Sequence, residues 1–207
     1  MTILKALPEL GTAWFLWMMW SEPQRFPIDW FRPAALTILL EFFVVHASGF
    51  MAVLAFDPDT SARNRILQIA GLSVFYLLFI SAVAWGMDAW WMVASFAWLC
   101  IAKMVGIGIG RQPTEGDRTL AIVSWALSMV AYLGSVFASV IPPVPELGVT
   151  AAVREATGFK PGGGVWESEP HRALAGAVLY FTLMGLSRPL LAWAFSPGGA
   201  TRRQTRS

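Results

Sequence analysis

The sequence predicts an all-α protein, a polytopic bundle of about five transmembrane helices preceded by a short interfacial or re-entrant helix. Composition is the first reason. Of 207 residues, 56% are apolar and 14% are charged, where a soluble domain carries roughly 25% charged residues. Segment length is the second. Crossing the hydrocarbon takes roughly 20 apolar residues at about 1.5 Å of rise each. Pro33–Phe56, Ile66–Met87, Ala89–Gly110 and Leu120–Ile141 meet that length with few ionisable groups, and Ala173–Phe195 carries only Arg188. The third reason is tryptophan placement: Trp30, Trp85, Trp90, Trp91 and Trp193 fall near the ends of these segments, where aromatic belts form. Together the spans fill most of the chain, which reads as a single membrane domain over residues 1–207.

The N-terminal segment, residues 7–20, is apolar but too short to span. Lys5 precedes it as in a signal peptide, yet Trp20-Ser21-Glu22-Pro23 offers no small-residue cleavage pattern. An uncleaved helix at the interface, or dipping partway in, is the expectation; a sixth, tilted span is the rival. The first span ends at the polar run 57–65, which supplies caps for the second. Gly86-Met87-Asp88 is short enough to predict a tight antiparallel hairpin of spans two and three, with Asp88 as N-cap of the third. A polar loop over 111–118 leads to the fourth span, which Pro142-Pro143 closes. In the extramembrane loop 142–171, Glu146–Thr157 patterns as a short surface helix with Leu147, Val149, Ala152, Val153 and Ala156 toward one side. The glycines after Pro161 read as a turn, since no strand precedes them and no Lys-Ser/Thr follows. Pro189 is expected to kink the fifth span beside a snorkelling Arg188.

Basic residues set the orientation. Arg63, Arg65, Arg111, Arg118, Arg202, Arg203 and Arg206 fall on one side; Lys5, Arg25, Arg32, Arg154, Lys160 and Arg172 fall on the other. The short loops and the tail place the C-terminus in the cytoplasm of a cell whose membrane we read as a bacterial inner membrane.

Ionisable groups inside a bilayer are costly and therefore functional candidates. Three stand out: Glu41 and His46 in the first span and Lys103 in the third. Glu41 shares a stripe with Ser48, Ala52 and Ala55, whereas His46 sits with Phe42, Gly49, Phe50 and Val53. Lys103 lies at nearly the depth of His46 and could reach Glu41. Each has a bland reading: a register-fixing carboxylate, an interior histidine, a snorkelling lysine. The sharper readings are proton or solute transfer through Glu41 and Lys103, and a haem, pigment or quinone site at His46. The other histidine, His171, is too shallow to share an iron with it. Glu167, Glu169 and His171 alternate along the chain, so an extended segment would point all three one way, a weak metal candidate. Cys100 stands alone, which excludes an intrachain disulfide.

Helix packing gives the clearest pattern. Ser124, Ser128, Ala131, Ser135 and Ala138 form a stripe of small residues along the fourth span, suited to close helix contact. Gly106 with Gly110, and Ala173 with Ala177, repeat the spacing once each. No nucleophile elbow, HExxH, phosphate-loop sequence or internal repeat is present. The leading expectation is an accessory or interaction subunit of a larger membrane complex, without catalysis of its own. Its partners would be the lipid bilayer and a membrane protein or further copies of itself, not nucleic acid. The alternatives are a small-solute or proton transporter and a cofactor protein centred on His46.

Overall fold

The structure, a computed structural model, describes residues 4, 6–57, 59–110, 113–159 and 164–194. Of the sequence expectations, those on Lys5, Arg111, Lys160, the Pro161–Gly163 turn, Phe195 and the tail arginines lie outside the described residues, as do the side chains of Arg188 and Trp193. Of the described residues 83% are helical, and none of them is in a strand. The helices are α1 (Leu7–Ser21), α2 (Phe31–Ala55), α3 (Ala62–Met87), α4 (Trp91–Ile109), α5 (Glu115–Val140), α6 (Ala151–Ala156), α7 (Val165–Ser168) and α8 (Pro170–Ala194). Among the described residues, four helical stretches are long and apolar enough to cross a membrane: Ile28–Ala55 and helices α3, α4 and α5. The fifth expected span lies on α8, which continues through Pro189.

Contacts divide the chain into two compact units, Met1–Ile38 with Val130–Ser207, and Leu39–Met129, so that α2 and α5 each begin in one and end in the other. In the first unit α1 packs along α8. Leu10 lies against Gly185, while Trp20 shares a cavity with Ala175, Gly176 and Leu179, so the two helices run antiparallel. Burial of Leu16 and Met19 fixes the α1 face involved. At 15 residues, α1 is about 22 Å long, short of the roughly 30 Å hydrocarbon core. It packs along a longer helix of the same unit.

The chain from α5 to α6 folds back on the end of α1. Trp20 Nε1 donates to the Pro145 carbonyl at 3.0 Å, and the Gly148 amide donates to the Trp20 carbonyl at 3.1 Å. A Cβ on Gly148 would overlap the Ser21 backbone and the Pro23 ring, so glycine is required there. This corrects the expected helix over 146–157. Leu147 adopts a left-handed φ of 50° and Gly148 is held in the return turn, which delays the helix to Ala151. Thr150 then caps it, its hydroxyl accepting from the Val153 amide.

In the second unit α3 and α4 form the expected tight hairpin. Asp88, however, does not cap α4. It ends α3 with a left-handed φ of 47°, its amide donating to the Ala84 and Trp85 carbonyls. The left-handed region is where short polar side chains are tolerated at helix C-termini. Trp85 and Trp90 flank this turn with exposed rings 6.4 Å apart. Along α3 the buried residues are Arg65, Ile69, Ser73, Tyr76, Ile80 and Ala84, a single stripe at steps of three and four; the remaining faces carry exposed Leu67, Val74, Phe75, Leu78 and Phe79. A bilayer accepts such apolar outer faces as an aqueous surface would not.

Candidate functional site

On α2, Phe42, His46 and Phe50 follow each other at four-residue steps, which places them on one ridge of the helix. All three are exposed. The His46 ring stacks on Phe42 at 5.7 Å between centroids and meets Phe50 edge-on at 5.5 Å. From the neighbouring α3, Tyr76 brings its hydroxyl to 2.7 Å from His46 Nδ1. Tyr76 is itself 5% exposed and lies 6.0 Å from Phe96 of α4, so its own position is fixed by packing. His46 thus stands at the edge of an aromatic cluster, with its inner nitrogen tied down. Its outer nitrogen, Nε2, has no hydrogen-bond partner among the described residues.

The depth of this pair gives it meaning. His46 is nine residues before the end of α2 at Ala55, or about 14 Å along the axis, well inside a stretch long and apolar enough to cross a membrane. If the Tyr76 hydroxyl donates to Nδ1, Nε2 carries the proton and faces outward as a donor. If Nδ1 donates to Tyr76, Nε2 presents a lone pair. Either way one ring nitrogen of an exposed residue on an apolar helix has no hydrogen-bond partner among the described residues.

Behind the ridge, Gly49 admits the indole of Trp125 from α5. Trp125 Nε1 donates to the Val45 carbonyl at 3.0 Å, and a Cβ on Gly49 would overlap the ring. This contact locks α2 to α5 within the second unit.

Lys103 lies elsewhere in the same unit. It lines a cavity of about 350 Å³ together with Ala55, Phe56, Arg65, Gly106, Ile107, Pro113 and Asp117. Arg65 is 2% exposed, and its Nη1 donates to the carbonyls of Ala55 at 3.3 Å and Asp57 at 3.5 Å, closing the C-terminal end of α2. Thr114 and Asp117 form a reciprocal capping pair at the start of α5: Asp117 Oδ2 accepts from the Thr114 amide and hydroxyl, and Thr114 Oγ1 accepts from the Asp117 amide. Asp57 is committed locally. The Thr60 hydroxyl and the Asp59 amide donate to its carboxylate and hold its pKa below the ordinary range.

The structure therefore separates the three intramembrane candidates. His46 pairs with Tyr76, Lys103 joins Arg65 and Asp117, and half-buried Glu41 is in the wall of neither. Cys100 is buried on α4. Of the small-residue stripe on α5, Ala131 and Ser135 are buried, Ser124 and Ser128 are half-buried and Ala138 is exposed, lining a cavity with Trp20 and Pro142–Pro145. The buried row runs instead through Ala131, Ser135 and Ser139. Gly176 of α8 closes on Ser139, where a Cβ would lie 3.1 Å from its side chain.

The alternating arrangement of Glu167, Glu169 and His171 does not form. The segment is helical at Val165–Ser168 and again from Pro170, so the three side chains are not aligned as on an extended strand. No group of three metal-capable side chains occurs among the described residues. Glu169 pairs with Arg172, whose hydrogen bond holds the carboxylate below its ordinary pKa. Arg172 Nη1 in turn donates to the carbonyls of Ser139, Val140 and Pro142, terminating α5. His171 is 2% exposed, and its Nδ1 lacks a hydrogen-bond partner among the described residues.

Tyr76, Arg65, Trp125 and Arg172 are the residues that the sequence did not single out. The only signal for Tyr76 is that a phenol sits midway along the span adjacent to His46; Arg65 and Arg172 read as ordinary loop cations.

Comparison with known proteins adds no constraint: no family model, no curated protein and no solved structure matches this chain.

Proposed function

We propose that this protein is an interaction subunit of a larger membrane assembly and that the His46 ridge is the surface it offers. The observation that carries the reading is exposed His46, its Nδ1 tied to Tyr76 and its Nε2 without a hydrogen-bond partner among the described residues, beside exposed Phe42 and Phe50 on an apolar helix. A polar atom left to lipid at that depth has no water to bond to, and the cost falls away when a neighbouring protein supplies a partner. The buried Tyr76 hydroxyl fixes the ring before any partner arrives, so little rotamer freedom remains to be lost. The partner is a membrane protein or a second copy of this chain carrying a polar side chain at matching depth. The same reading puts the protein in a bacterial inner membrane with a cytoplasmic C-terminus, on the strength of Arg63 and Arg118 at one end of the spans.

The test is purification of the tagged chain from native membranes in mild detergent, followed by mass spectrometry and size measurement. A stoichiometric partner or a stable homo-oligomer is expected, and His46→Phe, which keeps an aromatic ring but removes the nitrogen, should weaken it. Recovery of the wild-type chain alone as a monomer refutes the proposal.

One observation favours a second reading. An imidazole whose Nδ1 is hydrogen-bonded and whose Nε2 points outward is arranged as metal-ligating histidines are, and Phe42 and Phe50 could flank a haem or pigment ring. In that case purified protein shows a visible absorption band that His46→Phe removes. A colourless preparation excludes this version.

A further inference from the structure

We propose that the cavity between the ends of α2, α3, α4 and α5 binds a phosphodiester monoanion, the headgroup chemistry of an anionic glycerophospholipid. Three features of the cavity point there. Its wall holds two cations, Arg65 and Lys103, against a single carboxylate, Asp117. Its polar groups are also pre-positioned. Arg65 is held by the Ala55 and Asp57 carbonyls, and Asp117 by the Thr114 amide and hydroxyl at 2.8 and 2.7 Å. Lys103 has no ion-pair partner among the described residues, which leaves its ammonium to the ligand.

The third feature is position. Lys103 stands six residues before the end of α4 at Ile109, about 9 Å along the helix, whereas Arg65 is in the first turn of α3 and Asp117 in the first turn of α5. The polar groups therefore line a slot that opens at the helix ends and runs about 9 Å inward to Lys103. Phe56 and Ile107 provide apolar wall beside them, suited to the glycerol ester and the start of an acyl chain. About 350 Å³ lies within the range of small-molecule sites, roughly 300–1,000 Å³. Basic pockets between transmembrane helices are a recognised means of holding anionic headgroups. A soluble phosphate compound shares the same charge chemistry, and the experiment separates the two sources.

The protein is purified in a neutral detergent, delipidated and titrated with phosphatidylglycerol, phosphatidylcholine, or inorganic phosphate, with bound lipid read by native mass spectrometry and stability by thermal unfolding. Phosphatidylglycerol is expected to bind one molecule per chain and raise the melting temperature where phosphatidylcholine does not. Lys103→Gln should weaken that binding about fivefold. Gly106→Val should abolish it, because a Cβ at Gly106 meets no neighbouring atom and so enters open space at the cavity wall. Stabilisation by inorganic phosphate that Lys103→Gln removes would assign the site to a soluble anion and uphold the chemistry. Equal binding of the two lipids with no response to phosphate overturns the proposal. So does Lys103→Gln binding phosphatidylglycerol as tightly as wild type, whatever the fate of the Gly106 variant.

Discussion

Gly49→Ala tests whether the α2–α5 contact is as close as the geometry says. A methyl at this position enters the volume of the Trp125 indole, and the ring cannot slide away without giving up its 3.0 Å bond to the Val45 carbonyl. Overpacking of this kind costs about 1–3 kcal/mol. Losing the indole bond adds about 0.6 kcal/mol, the average for interhelical bonds in a membrane protein. Alanine returns up to about 1 kcal/mol of helix propensity. With the full propensity gain the net is a destabilisation of about 0.6–2.6 kcal/mol. Gly71→Ala on α3 is the matched control, since its Cβ meets nothing within 4 Å, and it should be neutral or stabilising by up to about 1 kcal/mol. Unfolding of the purified variants by titrating denaturing detergent into mixed micelles gives both values. A double-mutant cycle with Trp125→Leu then isolates the contact, because the smaller side chain vacates the space and should make Gly49→Ala nearly harmless. Equal stability of the two glycine variants, or the same Gly49→Ala cost in both backgrounds, would refute the reasoning.

Two further outcomes follow from the first unit. Gly148→Ala should destabilise by more than Gly49→Ala, because its Cβ meets the backbone of Ser21 instead of a side chain; unchanged unfolding and unchanged protease resistance of the 142–150 segment would contradict this. Glu169 has a pKa lowered chiefly by its hydrogen bond with Arg172. A depressed carboxylate stabilises above its unfolded value, about 4.3, and that contribution disappears as pH falls through the folded value. Wild type should therefore be more stable than Glu169→Gln at pH 6, with the difference shrinking as pH falls below about 4.3. A difference that does not change with pH would show that the pair contributes nothing through charge.

The spans were legible because the bilayer imposes a length that composition alone can reveal. Their ends were less so. Asp88 shows why: a short polar residue between two helices can cap the second or end the first, and only its left-handed φ decides. The return of 142–150 onto α1 was hidden for a different reason. Its determinants, Gly148 against Ser21 and Trp20 against Pro145, are more than 120 residues apart and carry no periodic signal.

The facing of each span is the deeper difficulty, and it bears directly on function. In a soluble helix the buried face is marked by contrast with a polar one. Here the outer face is apolar as well: α3 buries one stripe through Ile69, Tyr76 and Ile80 while Val74, Phe75 and Phe79 look outward. The sequence accordingly located Glu41, His46 and Lys103 in depth but could not say which neighbours they meet. Contrast returns only through polar atoms. Tyr76 is buried and bonded, Arg65 is buried and bonded to the end of α2, and each marks an inward face. By the same logic His46, polar and exposed, marks the outward face on which the proposed partner would act. Removing the nitrogen there should change what this protein binds while leaving its own helices packed, which separates the role proposed for His46 from that of a residue that merely supports the fold.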